Sequence, residues 1–330
     1  MALSSRSLIG WALSLAVACG DDTGPNGPSP RTYRMGFSGL PARPNEALVL
    51  PTIEQWAHRA DAAIMHISPP WSALLSGTTA DVAVRALHLQ LVQHYRGRGL
   101  AVVVTLDATD GLNRAAEAPE LVALGRSITE PAVQQVYRQY AVALATMLAP
   151  DFLGLAAETN LIRIAAPPTI YAALVTMTNE VAWGRHLATP AYVGVETDLA
   201  DFGFAQALGV SSYPYLGGFA DPEALPLDYF ARLDEGRSLP LLVVEGGCPS
   251  ATVGATESSP EEQSRWIERE TALLDAAGAV AFFQLSYTDL DEGAWPTGIA
   301  PFARLGLVDA AFNPKPALAR WDAVFARVRR

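Results

Sequence analysis

Short apolar, β-rich runs alternate along this chain with longer stretches in which apolar residues recur every three or four positions. The first kind reads as buried strands and the second as amphipathic helices laid over them, so the alternation is that of repeated βα units. Eight strands are predicted, over residues 32–37, 62–67, 101–106, 152–156, 191–195, 210–213, 241–244 and 280–285. Helical periodicity covers 80–98, with Val82, Leu87, Leu91 and Tyr95 repeating along it, and then 131–148, 169–186 and 260–277. Ser259, Pro260 and Glu262 form a helix start, the serine as cap and the proline at the first helical position. Gly99 and Gly278 stand where helices must stop. Eight units with right-handed crossovers close into an α/β fold, a single (β/α)8 TIM barrel. The fifth unit is the thinnest, with only about fifteen residues between strands five and six. A doubly wound open sheet is the alternative, but no Gly-rich phosphate loop follows the first strand.

The first residues stand outside this pattern. Residues 1–7 carry one positive charge, Arg6, residues 8–18 are apolar, and Ala16, Val17 and Ala18 lead into Cys19. About eleven apolar residues are too few to span a bilayer and suit a signal-peptide core. The small residues before Cys19 resemble a bacterial lipobox. That resemblance implies removal of residues 1–18, a lipid on Cys19, and a protein held at the cell envelope, periplasmic or on the outer surface; ordinary secretion with cleavage nearby is the alternative. Residues 19–31 are polar and rich in Gly and Pro, a composition that buries too little to order itself and reads as a tether. The barrel then occupies 32–330.

Half of the 330 residues are hydrophobic and 17% are charged, enough apolar side chain for one large core. The net charge of −11 and the pI near 4.9 argue against nucleic-acid binding, which needs a basic surface, so no nucleic acid is expected as partner, whereas a neutral sugar polymer is compatible. With Cys19 lipidated, Cys248 is the single remaining thiol, and no internal disulfide forms. The five histidines, His58, His66, His88, His94 and His186, make no HExxH pair, and there is no GxSxG or Walker loop. Glu196, Asp198, Asp201 and Asp107 offer oxygen ligands, but acidic residues at loop starts also cap helices. No metal and no cofactor is expected.

Chemistry concentrates at two strand ends. Gly154-Leu155-Ala156-Ala157-Glu158-Thr159-Asn160 and Leu241-Leu242-Val243-Val244-Glu245-Gly246-Gly247-Cys248-Pro249-Ser250 each run an apolar strand into one glutamate. The C-terminal ends of barrel strands are where catalytic residues sit, and a carboxylate pair is what glycoside hydrolysis requires. With Glu158 after strand four and Glu245 at strand seven, the chain resembles the retaining glycoside hydrolases of clan A. Its second segment is similar to the nucleophile region of plant-type β-1,3-glucanases. Gly306-Leu307-Val308-Asp309 and Asn313-Pro314-Lys315-Pro316-Ala317-Leu318, with Trp321, look like the ending of many such enzymes.

The resemblance implies Glu245 as nucleophile and Glu158 as acid/base, with carboxyls roughly 5–5.5 Å apart. It also implies a tyrosine near strand six on the nucleophile, Tyr213 first and Tyr215 second. Two places depart from the family: Ala157 stands where an asparagine binds the sugar 2-hydroxyl, leaving Asn160 as substitute, and Cys248 stands where a tryptophan is usual. Other substrate contacts are expected from His66, Asp107, Gln284 and Tyr287 at strand ends, and a stacking platform from Trp71 and Trp295. Trp56, Trp183, Trp266 and Trp321 lie in helical segments and are read as packing. The expectation is a monomeric hydrolase of β-linked polysaccharide or oligosaccharide that touches membrane only through its lipid; the alternative is a barrel that binds glycan without cleaving it.

Overall fold

A computed structural model of the protein describes residues 29–330 except 185–190, 195–198, 220, 235 and 255. Cys19, His186, Glu196, Asp198 and nearly all of the tether therefore lie outside the described residues. Eight parallel strands, β1 (Arg34–Ser38), β2 (Ala62–Ile67), β3 (Ala101–Leu106), β4 (Phe152–Ala156), β5 (Ala191–Gly194), β6 (Ala207–Ser212), β7 (Leu241–Gly246) and β8 (Ala281–Gln284), bond in chain order, and β8 closes on β1. Around them run α1 (Val49–Trp56), α2 (Trp71–Leu75), α3 (Ala80–Leu87), α4 (Leu89–Gly97), α5 (Pro119–Ala123), α6 (Pro131–Ala143), α7 (Thr159–Ala165), α8 (Pro168–Gly184), α9 (Pro260–Ala277) and α10 (Pro316–Phe325). Among the described residues, no α-helix separates β5 from β6 or β6 from β7; three short 3-10 turns make up the second connection. None of the described helices is long and apolar enough to cross a membrane.

Period-two alternation builds two apolar layers. Ile64, Val103, Leu242, Val244 and Phe283 fill the barrel interior. Met35, Phe37, Val104, Leu155, Val243 and Phe282 belong instead to the larger core shared with the helices. Each large apolar side chain buried this way contributes roughly 1.5–3 kcal/mol of transfer free energy. Ser259 Oγ caps α9 by accepting from Glu262 N at 3.1 Å, and Gly278 ends the helix at φ +61°, a left-handed position that favours glycine.

Two expectations need correction. The helix expected over 80–98 is broken at His88, which leaves helical backbone at φ −128°, ψ −28° and whose ring nitrogen lies 2.7 Å from Tyr140 Oη on α6. The sixth strand begins at Ala207 rather than 210, because Ala207 and Leu208 pair with Tyr192 and Val193 of β5. The C-terminal motif is a brace. Lys315 Nζ donates to Asp289 Oδ1 at 2.5 Å, to Ser250 Oγ at 2.8 Å and to the Gly306 carbonyl at 2.8 Å, tying the chain's end to the loops after β7 and β8.

Candidate active site

Both glutamates end strands whose register slips beside them. On β7, Val243 pairs with Val210 but Glu245 pairs with Ser211, so Val244 is an extra residue. Leu242 and Val244 already face the barrel interior, and strict alternation would turn Glu245 outward; the bulge re-aims it into the mouth. On β4, Gly154 pairs with Tyr192 and Ala156 with Val193, leaving Leu155 extra. Its carbonyl accepts the buried Tyr137 hydroxyl from α6. Glu158 follows at φ +45°, ψ +45°, a left-handed conformation that non-glycine residues adopt at a cost and that here turns its carboxyl toward the loop after β3.

Glu158 and Glu245 line one cleft of about 640 Å³ at the C-terminal end of the strands. Register places Ser211 beside Glu245, whose Oε1 accepts from Ser211 Oγ at 2.9 Å while Oε2 accepts from Tyr213 Oη at 3.1 Å. Burial and the Glu245 charge hold the Tyr213 phenol well above its ordinary range, so it remains a donor. Glu158 has a different partner. Arg114 Nε donates to its Oε2 at 2.7 Å, and the same guanidinium donates through Nη1 to Asp107 Oδ2 at 2.5 Å and to Thr109 Oγ1 at 3.3 Å. Burial, then the charge of Glu245, push the Glu158 carboxyl up; Arg114 works against both. Glu158 thus feels the charge of Glu245 across the cleft, and the two carboxyls are held differently, Glu245 by neutral donors and Glu158 by a cation.

The remaining candidates divide. His66, Asp107 and Trp295 line the cleft, Trp295 fixed by an indole hydrogen bond of 3.1 Å to the Ala42 carbonyl. Tyr215 is buried against Leu285 and Leu305 and donates to the Pro301 carbonyl at 2.9 Å, so it supports Tyr213 edge-on rather than reaching Glu245. Gln284 is fully buried: Phe283 takes the inward position on β8, and Gln284 turns away to bond the Leu305 carbonyl at 2.6 Å. It also packs where a side chain on Gly247 would have to go, 2.7 Å from the place of a Cβ, and Gly247 sits at φ +146°. Tyr287 packs edge-on to Phe37 at 5.3 Å in the helix layer. Trp71 is 1% exposed at the start of α2 and is no platform. Asn160, in the first turn of α7, is not among the cleft-lining residues and does not replace the missing asparagine; Ala157 does line the cleft. Cys248 is buried in the core shared with the helices.

Arg114 and Ser211 were not visible as site residues in the sequence. Ser211 had a signal, lying two residues before Tyr213 on a strand neighbouring that of Glu245. Arg114 had none, since its partner Glu158 lies 44 residues away. Among the described residues no three His, Cys, Asp or Glu gather as metal ligands. Asp107 is held by Arg114 and Asp201 accepts from Tyr171 Oη at 2.8 Å.

No protein-family model matches this chain, and no curated protein does. Solved structures match it. An exo-β-1,4-mannosidase from Opitutaceae bacterium strain TAV5 does so with a TM-score of 0.67 at 16% identity, over 90% of this chain and 59% of that one. A GH5_18 protein from Streptomyces cattleya, solved with GlcNAc, gives 0.64 at 18% identity over 92% and 83%. A β-glucuronidase from an uncultured Clostridium sp. gives 0.59 at 14% identity over 89% and 50%. The chain spans about half the length of the β-glucuronidases it matches. At these identities the likeness is one of fold: the chain has the parallel TIM barrel of these glycoside hydrolases.

Proposed function

We propose that this protein is a retaining glycoside hydrolase for β-linked sugars. The observation that carries the reading is the pair itself, Glu158 and Glu245 in one cleft at the ends of β4 and β7, while burial and then the charge of Glu245 raise the Glu158 carboxyl. In this reading Glu245 attacks the anomeric carbon as the bond to the leaving oxygen breaks, and Glu158 delivers its proton to that oxygen. Glu158 then takes a proton from water, which attacks the same carbon and frees Glu245, so configuration is retained. Tyr213 and Ser211 hold the nucleophile still between steps, His66 and Asp107 face the sugar, and Trp295 walls the cleft. The test is a screen of the soluble chain against β-glucans, galactans, mannans, xylans and β-glucuronides, with reducing-end detection and proton NMR of the first product anomer.

Arg114 sets the working pH in this scheme. In Arg114→Leu the cation that lowers Glu158 is gone while burial and Glu245 remain, so the acid's pKa moves further up. The alkaline limb of the kcat/KM profile is expected to shift upward by roughly 1–3 pH units. An unmoved limb, in a variant with the wild-type circular dichroism spectrum, removes Glu158 from the acid role.

A second reading, glycan binding without cleavage, draws on Ala157: the cleft lacks an amide where a contact to the 2-hydroxyl adds several kcal/mol in the transition state. Titration of glycans that the screen leaves uncut decides between the two. For localisation, the lipobox-like run before Cys19 supports an envelope anchor. Cys19→Ser is expected to abolish labelled fatty-acid incorporation and to move the protein from the membrane to the soluble fraction.

A further inference from the structure

The cleft does not end at the carboxylates. Along β2 the side chains alternate, Ile64 facing the barrel interior and Met65 and Ile67 facing the helix layer, yet all three line the same cleft together with His66. A cleft bordered by both faces of one strand wraps over that strand's end. It continues into the space between the loop after β1, helix α1 and helix α4, where Val49, Leu91 and Tyr95 border it. The loop crosses there with Gly39, where a Cβ would stand 2.7 Å from Tyr95 Oη and 3.7 Å from Val49 Cγ1.

Polarity is segregated along this path. Glu158, Glu245, Arg114, Asp107 and Tyr213 stand at the barrel mouth, while the branch over β2 is bordered by Val49, Met65, Ile67 and Leu91. Asn45 and Glu46, both exposed, border the cleft beside Val49, and Tyr95 lines it; His88 is engaged with Tyr140 and held by burial down to about 4, hence uncharged near neutrality. A second sugar ring seated against Val49, Met65, Ile67 and Leu91 would lose water from the hydroxyls on that side without gaining partners there, and each such unpaired group costs about 1–3 kcal/mol. A hydrocarbon chain or aryl ring loses nothing of that kind.

Resting on the hydrolase reading, we infer that the substrate is an amphiphilic glycoside: a sugar at Glu158 and Glu245 that bears an alkyl or aryl group, seated over the end of β2. The apolar group comes either as the aglycone or as an acyl ester on the sugar, and the two sources are separable. The full chain is assayed on methyl, phenyl and n-octyl β-glycosides of glucose, galactose, mannose and glucuronic acid, below micelle-forming concentration, and on the 6-O-octanoyl esters of the methyl glucoside, galactoside and mannoside. A buried methylene is worth roughly fourfold, so octyl or octanoyl forms are expected to exceed the methyl forms at least tenfold in kcat/KM. Preference for the octyl or phenyl glycosides assigns the branch to the aglycone, and preference for the esters assigns it to an acyl group.

Leu91→Asp is expected to bring the octyl-to-methyl ratio near one, with Val49→Thr as a milder second variant should the first not fold. Titration of the same compounds into Glu245→Gln reads the seat without turnover. Cleavage with no apolar preference overturns the inference and leaves the hydrolase reading standing. Absence of cleavage, with a tenfold octyl preference in binding that Leu91→Asp abolishes, supports the seat and overturns the hydrolase reading. A protein that shows no cleavage and no apolar preference in binding overturns both the inference and the hydrolase reading.

Discussion

Glu245→Ala is expected to lose at least ~10⁴-fold in turnover of any glycoside the wild type cleaves, because it removes the atom that forms the covalent intermediate. No neighbour can substitute: Glu158 is bound to Arg114, and Asp107 to the same guanidinium. The cavity left by the carboxylate opens onto the face from which Glu245 attacked. Azide entering there is expected to restore turnover with inverted product, read by NMR of the glycosyl azide. Glu158→Ala separates the roles. It should spare substrates with good leaving groups, which need little protonation, and allow a glycosyl-enzyme on Glu245 to accumulate, visible as a mass increment on the intact protein. Azide then yields product of retained configuration. If Glu245→Ala cleaves within tenfold of wild type, or if both variants give the same azide stereochemistry, the assignment of roles is wrong.

The barrel was legible because its information is local. Strands such as Ala62–Ile67 and Ala101–Leu106 are apolar runs bounded by turn residues, and α9 carries its own cap and stop, so their limits follow from neighbouring residues. What failed depended on distant partners. His88, where the helix breaks, finds its partner in Tyr140, 52 residues away, and both halves keep helical periodicity, so nothing in the segment marks the break. The early start of β6 depends on pairing with β5.

The site was legible to a similar depth. A lone ionisable residue closing an apolar strand is conspicuous, and this singled out Glu158 and Glu245. Which way a side chain points is less local. The bulges at Leu155 and Val244 are defined only by the neighbouring strands' register, and without the second one Glu245 would face the helices. Gln284 is the converse. Period two along β8, with Phe283 inward, already turns it away from the mouth, so that assignment was correctable from sequence. Trp71 was placed by loop position and Tyr287 by its nearness to the end of strand eight, and both side chains are buried in the core.

Glu270 leads to a prediction of the same kind about stability. It lies on α9, fully buried beside Ser212, and neither carboxyl oxygen has a well-formed hydrogen bond; Ser212 Oγ is likewise without one. Burial pushes this carboxyl up from 4.5 to about 8, with Ser212 opposing weakly. In the unfolded chain the group titrates near 4.5, so between pH 4.5 and 8 the folded state holds a proton that the unfolded state has released. The native state is then favoured fully at the acid end, loses that advantage as pH rises, and levels off once the folded group itself ionises. Glu270→Gln keeps the shape and removes the titration. At roughly 1.4 kcal/mol per unit of pKa, the variant is expected to be more stable than wild type by several kcal/mol above pH 8 and about equal to it near pH 4.5. Urea unfolding at pH 4.5, 6.5 and 8.5 measures the gap, and parallel stability profiles for the two proteins would refute it. The consequence reaches the site. Ser212 lies between Ser211 and Tyr213, the two donors on Glu245, so a charge forming on Glu270 at alkaline pH presses on the segment that holds the nucleophile in place.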